Sequence, residues 1–241
     1  MIRETGPGQA PEQLERIVAA LVERMERRFF GKYRGVVVDN EDPARLGRLR
    51  LSVPSVFGPD VVTGWASPCV PYGGAADQGL FLVPERQAGV WVEFEEGDLE
   101  FPVWVGTYWS KPGGDSQVPR PNDADGAEAD EPQAVPTCKT IKTGKKHTLQ
   151  FEDADGAERI LLREGVKGHI VTLDADGITV ADATGNKAVL GGEAIRLTDA
   201  TGNAIEMTKD GLTITAKAPL TIDASGQPVQ ITAKSIALKQ G

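Results

Sequence analysis

From Lys139 onward the chain alternates apolar and polar residues in short bursts. Each burst offers one apolar pair at i and i+2: Leu149 and Phe151, Ile160 and Leu162, Val171 and Leu173, Ile178 and Val180, Ala188 and Leu190, Ile195 and Leu197, Ile205 and Met207, Leu212 and Ile214. Leu220 and Ile222, Val229 and Ile231, and Ile236 and Leu238 continue the series. A two-residue period turns alternate side chains to one face, so each pair predicts a short strand. From Val171 the pairs start at alternating shorter and longer intervals, and Asp-x-x-Gly-Asn or Asp-Gly turns fill the gaps. Ile178–Leu190 also recurs as Ile195–Met207, with Asp182, Gly185 and Asn186 mapping onto Asp199, Gly202 and Asn203. Fixed-period similarity signals a repeat architecture, here a rod.

A strand with two inward residues covers little apolar surface. A single-chain parallel β-helix uses about 18–20 residues per coil to enclose its own core. The two short strands in each repeat unit cannot do so, and a thin ribbon leaves edges unpaired. Residues 138–241 are therefore expected to form an intertwined, homotrimeric β-helix (a β-prism) in which each chain pairs with its neighbours. Its core is Ile178, Val180, Ile195, Leu197, Ile205, Met207, Leu212, Ile214, Leu220, Ile222, Val229 and Ile231.

The first half reads differently. Over Pro11–Phe30, Leu14, Ile17, Val18, Leu21, Val22, Met25 and Phe29 recur at helical spacing, and Gly31 is the stop. This predicts one amphipathic helix within 1–31 whose apolar face needs a cover. Three covers are open: its own next domain, a partner subunit, or the same helix in other copies. Leu14, Ile17, Leu21 and Met25 are its docking candidates.

Residues 32–112 hold short strand patterns at Tyr33–Val38, Gly47–Pro54, Val61–Val70, Gly79–Pro84, Val90–Glu95 and Phe101–Trp109, with all four tryptophans. Without an internal helix, this fits a small closed or nearly closed barrel. Residues 113–137 are acidic, rich in Pro and Gly, and poor in large apolar residues, which predicts an extended linker or strap.

The formal net charge of −9 lies in residues 1–136, because 137–241 hold 13 basic and 13 acidic residues. That balance, with no basic aromatic strip, argues against a nucleic-acid partner. The N-terminal Met-Ile-Arg-Glu-Thr-Gly-Pro-Gly lacks the apolar core of a signal peptide, and no apolar run is long enough to span a bilayer. The expectation is a protein made in the cytoplasm. Cys69 and Cys138 lie in segments of different character and read as two buried free thiols.

Asp-Ala-Asp-Gly occurs at 123–126, 153–156 and 174–177. It lacks the further oxygen ligands and closing Glu of a calcium loop, so it reads as turn chemistry. His147 and His169 are too far apart for a single-chain metal motif, and with no cleft there is no credible Ser-His-Asp set. No metal, cofactor or catalytic residue is expected, and the chain does not read as an enzyme.

Tyr33-Arg-Gly-Val-Val-Val-Asp-Asn-Glu-Asp-Pro, Gly47-Arg-Leu-Arg-Leu-Ser-Val-Pro, Pro68-Cys-Val-Pro-Tyr, Gly89-Val-Trp-Val-Glu-Phe-Glu and Pro102-Val-Trp-Val-Gly resemble the OB-fold domain of phage baseplate assembly protein V and VgrG spikes. His147-Thr-Leu-Gln-Phe-Glu-Asp and Ile231-Thr-Ala-Lys-Ser-Ile-Ala-Leu resemble the triple-stranded β-helix of the same spikes.

The resemblance implies an all-β chain, an OB-fold barrel followed by the trimeric spike, with a short N-terminal α-helix. It implies the central spike of a contractile injection system or phage tail. Such a spike joins a hub protein at the OB end, carries a PAAR-type tip protein and possible effector cargo, and pierces a target envelope on sheath contraction, touching membrane only mechanically. Ser235, Ile236, Ala237, Leu238 and Lys239 are the tip-docking strand on this reading. The lysozyme domain that some relatives insert after the barrel has no counterpart here. The second reading is a trimeric β-helical adhesin or carbohydrate-binding fibre component. It needs outward aromatics on the rod, and none follows Phe151.

Overall fold

The computed structural model describes residues 9–26 and 28–239, and the chain divides into two compact units at Val118 and Pro119. In the first unit, helix α1 (Gln9–Glu26) precedes β1 (Tyr33–Asp39), β2 (Arg50–Ser52), the single turn α2 (Pro54–Phe57), β3 (Ser67–Pro68), β4 (Gly89–Phe94) and β5 (Pro102–Thr107). The strands order as β2-β1-β4-β5-β3, with β3 parallel to β5 and the other pairs antiparallel. Leu49 and Ala66 exchange two backbone hydrogen bonds of 3.1 and 2.7 Å, and Thr63 N–H donates to Leu51 O at 2.8 Å. These bonds join the first strand of the sheet to the last and close the barrel.

Alternation along the strands puts Val37, Leu49, Leu51, Val53, Val90, Val92 and Phe94 inside, with Trp104 beside them. The Trp104 Nε1–H donates to Gly47 O at 3.1 Å, which satisfies the indole's one polar atom.

Three expectations change here. The helix ends at Glu26, and Phe29 instead packs edge-on to Tyr33 and Phe94, its N–H bonded to Gly97 O at 2.9 Å. Gly79–Pro84 is a loop, exposed at Leu80, Phe81 and Leu82 while Val83 packs against the core, because the closed sheet already pairs its own strands and leaves this apolar run no edge. The barrel region also holds a short internal helix, α2, where the sequence pattern predicts none.

The second unit is one meander of nine antiparallel strands, all short. They are β6 (Cys138–Lys142), β7 (Thr148–Glu152), β8 (Arg159–Arg163), β9 (Ile170–Asp174), β10 (Gly177–Ala181), β11 (Lys187–Gly191), β12 (Ala194–Thr198), β13 (Ala204–Thr208) and β14 (Gly211–Thr215). Each strand predicted between Leu149 and Ile214 is present. The pairing differs from the expectation. Each of β7–β13 bonds on both sides to a strand of its own chain, so 138–215 is not wound strand by strand with other chains. The ladder groups of those strands are satisfied within one chain.

The acidic segment is also more than a spacer. Asn122 is buried against Gln150, Thr172 Oγ1 donates to Ala124 O at 3.2 Å, and Gln133 Nε2 donates to Glu152 at 2.9 Å. Gly126 sits at φ +84°, where a Cβ would come within 3.0 Å of Ile170. The segment thus covers one face of β7–β9 and buries Thr148, Gln150, Leu161, Ile170 and Thr172. Residues 216–239 form no strand, although the apolar pairs continue through them. Leu220, Ile222, Val229 and Ile231 are exposed there.

Candidate functional site

The opposite face of the nine-stranded sheet is its most distinctive surface. Strand register places the apolar residues in two unbroken columns. One runs Leu149, Leu162, Val171, Val180, Ala188, Leu197, Ile205, Ile214. The other runs Phe151, Ile160, Leu173, Ile178, Leu190, Ile195, Met207, Leu212. Such cross-strand pairs are the ordinary unit of sheet stabilisation.

Among the described residues these columns are left open along most of their length, with Ala218–Thr221 beside the groove only at its Ile205 and Ile214 end. Leu162 is 56% exposed, Leu197 46% and Leu212 62%. A groove of about 890 Å³ follows the first column from Leu162 to Ile214. Contiguous apolar surface on this scale marks an interaction site.

The turns fix the register that builds the columns. In Asp182–Asn186 the Asp182 carboxylate accepts from Thr184 N–H, Thr184 Oγ1 and Asn186 N–H at 2.8, 2.8 and 2.9 Å, and from Asn186 Nδ2 at 2.7 Å. Asp199–Asn203 repeats the pattern. Gly185 and Gly202 take φ of +103° and +90°, which the reversal requires. The Thr184 hydroxyl and Asn186 hold Asp182 well below the usual carboxylate range, and the Asn203 amide and Thr201 hydroxyl lower Asp199 to about 2.

Successive turns along this margin are tied by one recurring bond. The His147 Nδ1 accepts from Gly165 N–H, His169 Nδ1 from Ala183, Asn186 Oδ1 from Ala200, and Asn203 Oδ1 from Lys217, at 3.1, 3.3, 3.2 and 2.7 Å. Histidine thus stands in for asparagine at one position of the repeat.

Of the predicted core, the structure brings Ile178, Val180, Ile195, Leu197, Ile205, Met207, Leu212 and Ile214 onto this face. It does not bring Leu220, Ile222, Val229 and Ile231 into strands: among the described residues their segment does not pair, although the outer edge of β14 stands open. The same holds for Ser235, Ile236, Ala237, Leu238 and Lys239, which lie in extended, exposed chain rather than a terminal strand. On α1, Leu14, Ile17 and Leu21 are exposed, so the barrel does not cover them; the Met25 side chain lies outside the described residues.

The three Asp-Ala-Asp-Gly segments are turns. Asp123 Oδ1 accepts from Asp125 and Ala127 N–H, and Asp174 Oδ1 from Asp176 N–H. Cys69 and Cys138 are free, but exposed and half-buried respectively rather than both buried. Among the described residues, no three or more His, Cys, Asp or Glu gather as a metal site, and no helix is long and apolar enough to cross a membrane.

The closed barrel of the first unit, with its Val/Leu/Trp core, is the region where a known family matches. Residues 33–109 match the Type VI secretion system/phage-baseplate injector OB domain. The matched family is structural rather than enzymatic, and the match supports a baseplate-associated structural role in a phage-tail-like particle. No curated protein matches the chain.

Proposed function

We propose that the chain is the central spike of a contractile injection machine, a phage tail or a related injection system. Three copies form a needle that joins a baseplate hub at its OB end, carries a PAAR-type tip protein at the other, and pierces a target envelope when the sheath contracts. The division of labour follows the domains expected from sequence: 1–31 helix, 32–112 barrel, 113–137 strap, 138–241 spike.

One observation carries this reading: two apolar columns run in register across the strands of the sheet with nothing over most of their length among the described residues, on a chain that also matches an injector OB domain. Geometry favours three copies with their columns inward. A five-residue strand is about 17 Å long. Three sheets of that width form a triangular prism whose faces lie about 5 Å from the axis, half the ~10 Å spacing of face-packed sheets. The turns then sit at the corners, where their carboxylates stay in water.

Stiffness follows from the same arrangement. Nine strands at ~4.8 Å spacing make a sheet about 38 Å long, and every apolar contact across the axis resists bending. Native mass measurement of the full chain tests the proposal. A trimer that persists on dilution is expected, whereas a folded, soluble monomer or dimer overturns it.

A further inference from the structure

Helix α1 carries an apolar face that its own chain leaves bare. Leu14, Ile17, Val18, Leu21 and Val22 are all exposed. Of the three covers open from the sequence, the structure removes the first, because the barrel of the same chain does not bury these residues.

The spacing along α1 is that of a coiled-coil seam. With Val18 at heptad position a, Leu14 and Leu21 fall at d and Met25 at the next a. Every charged residue of Gln9–Glu26 falls outside a and d. Glu12 and Arg16 stand four residues apart, as do Glu23 and Arg27, with Glu first in each case. That spacing and order suit pairing along a single helix. The charges match within each helix and select no oppositely charged partner, whereas the apolar seam is complementary to another copy of itself.

Two residues set the number of helices. Val at a with Leu at d suits two strands when it stands alone. Here Ile17 at g and Val22 at e widen the apolar face on both sides of the seam. A face built from a, d, e and g is broader than a two-stranded seam can cover, and a third helix covers it.

The barrel holds the end of the helix. α1 stops at Glu26, and three residues later Phe29 is fixed, its N–H donating to Gly97 O at 2.9 Å and its ring edge-on to Tyr33 and Phe94. Arg28 Nη1 donates to Glu96 O at 3.1 Å. A Cβ at Gly97 would come within 3.0 Å of the Phe29 nitrogen, so this junction is tight. An isolated helix of 18 residues is marginal in water. Three of them bolted to the barrels of one trimer meet at high effective concentration.

We infer that the α1 helices of three copies form a parallel coiled coil, with Leu14, Val18 and Leu21 facing its axis. Threefold symmetry makes the helices parallel, and the bundle gives the OB end an assembly interface of its own, separate from the nine-stranded sheet. This rests on the trimer reading above.

Cross-linking tests the geometry. In the full chain carrying Cys69→Ser and Cys138→Ser, Leu21→Cys is treated with a short bis-maleimide and run on a denaturing gel. A dimer-sized product is expected, because thiols of neighbouring copies meet in one layer of the bundle, and Val18→Cys should behave alike. Arg16→Cys, at the outward position f, should stay monomer-sized. A preparation of trimeric native mass in which neither Val18→Cys nor Leu21→Cys links overturns the bundle and leaves the spike assignment standing. Equal linking of Arg16→Cys and Leu21→Cys does the same. A monomeric native mass removes both.

A second measurement separates the bundle from a helix that docks on another protein. In the purified chain, Ile17→Gln with Leu21→Gln should lose the helical circular dichroism of α1 and keep the trimeric mass, because a lone helix melts while the sheets still hold the copies together. An unchanged helical signal shows that α1 does not depend on its neighbours, and overturns the bundle.

Discussion

Gln150 and the backbone of Asn122 hold each other through two hydrogen bonds. Gln150 Nε2 donates to Asn122 O at 2.6 Å, and its Oε1 accepts from Asn122 N–H at 2.8 Å. Both residues are buried. The pair copies a step of β-ladder with a side chain in place of a strand, and it fastens the acidic strap to the face of the nine-stranded sheet opposite the apolar columns. Gln150→Ala orphans the buried Asn122 N–H, at a cost of about 1–3 kcal/mol, while Arg159 Nη2 still donates to Asn122 O at 3.0 Å. The expected result is a lower melting temperature and new proteolytic cleavage within 119–137. An unchanged melt with the strap still protected would mean the pair is incidental.

The apolar columns separate folding from assembly. Leu197 is 46% exposed in the single chain, so Leu197→Lys leaves the sheet's own ladder intact. In the proposed prism the same change places three ammonium groups near one axis and removes about 1.5–3 kcal/mol of burial per copy. The variant should keep its β-sheet circular dichroism and lose its trimeric mass. Leu51→Ala, inside the fully buried barrel core, should do the converse: it lowers barrel stability by about 2–5 kcal/mol and spares the trimer. A Leu197→Lys chain that stays trimeric would place the interface on another surface.

The strands of the nine-stranded sheet were legible because two properties coincide there. Each has an apolar i, i+2 pair, and each reversal from Leu173 to Leu212 carries a Gly, alone or with Asp and Asn. Where one property stands alone, the pattern misleads. Leu220–Leu238 keeps the apolar pairs and one turn at Asp223–Gln227, but 216–220 lacks the Asp-x-x-Gly-Asn reversal that would bring the segment back, and no strand forms. Leu80, Phe81 and Leu82 look like a core strand yet lie exposed, because a sequence does not show that five other strands already close the barrel. The strap was illegible for a different reason. Its burial rests on Asn122 meeting Gln150, Gln133 meeting Glu152 and Gly126 meeting Ile170. These partners are distant in the chain, and neither composition nor period records such matches.

His169 offers a substitution that the repeat itself recommends. It stands one repeat before Asn186 and makes the corresponding bond, Nδ1 accepting Ala183 N–H at 3.3 Å as Asn186 Oδ1 accepts Ala200 N–H at 3.2 Å. His169→Ala removes one exposed bond, a loss of about 0.5–1.5 kcal/mol. His169→Asn should recover most of the melting temperature, because it supplies the acceptor used at the next two turns. Equal melting of the Ala and Asn variants would show that the tie carries no stability.

Asp199 links the stability of the nine-stranded sheet to acid. Its folded-state value is lowered from the ordinary 3.8 to about 2, first by the Asn203 amide and then by the Thr201 hydroxyl. A carboxylate depressed in the folded state contributes its full stability above the unfolded value, and that contribution disappears as pH falls through the folded one. The Asp199 contribution should therefore be intact at about pH 5, begin to fade below about pH 4 and be gone near pH 2. Asp182, held lower still by Thr184 and Asn186, follows at more acid pH. Asp199→Asn removes the titrating group. Melting followed from about pH 5 to about pH 2 should show a shallower slope for this variant than for the parent, and parallel slopes would assign the acid sensitivity to other carboxylates.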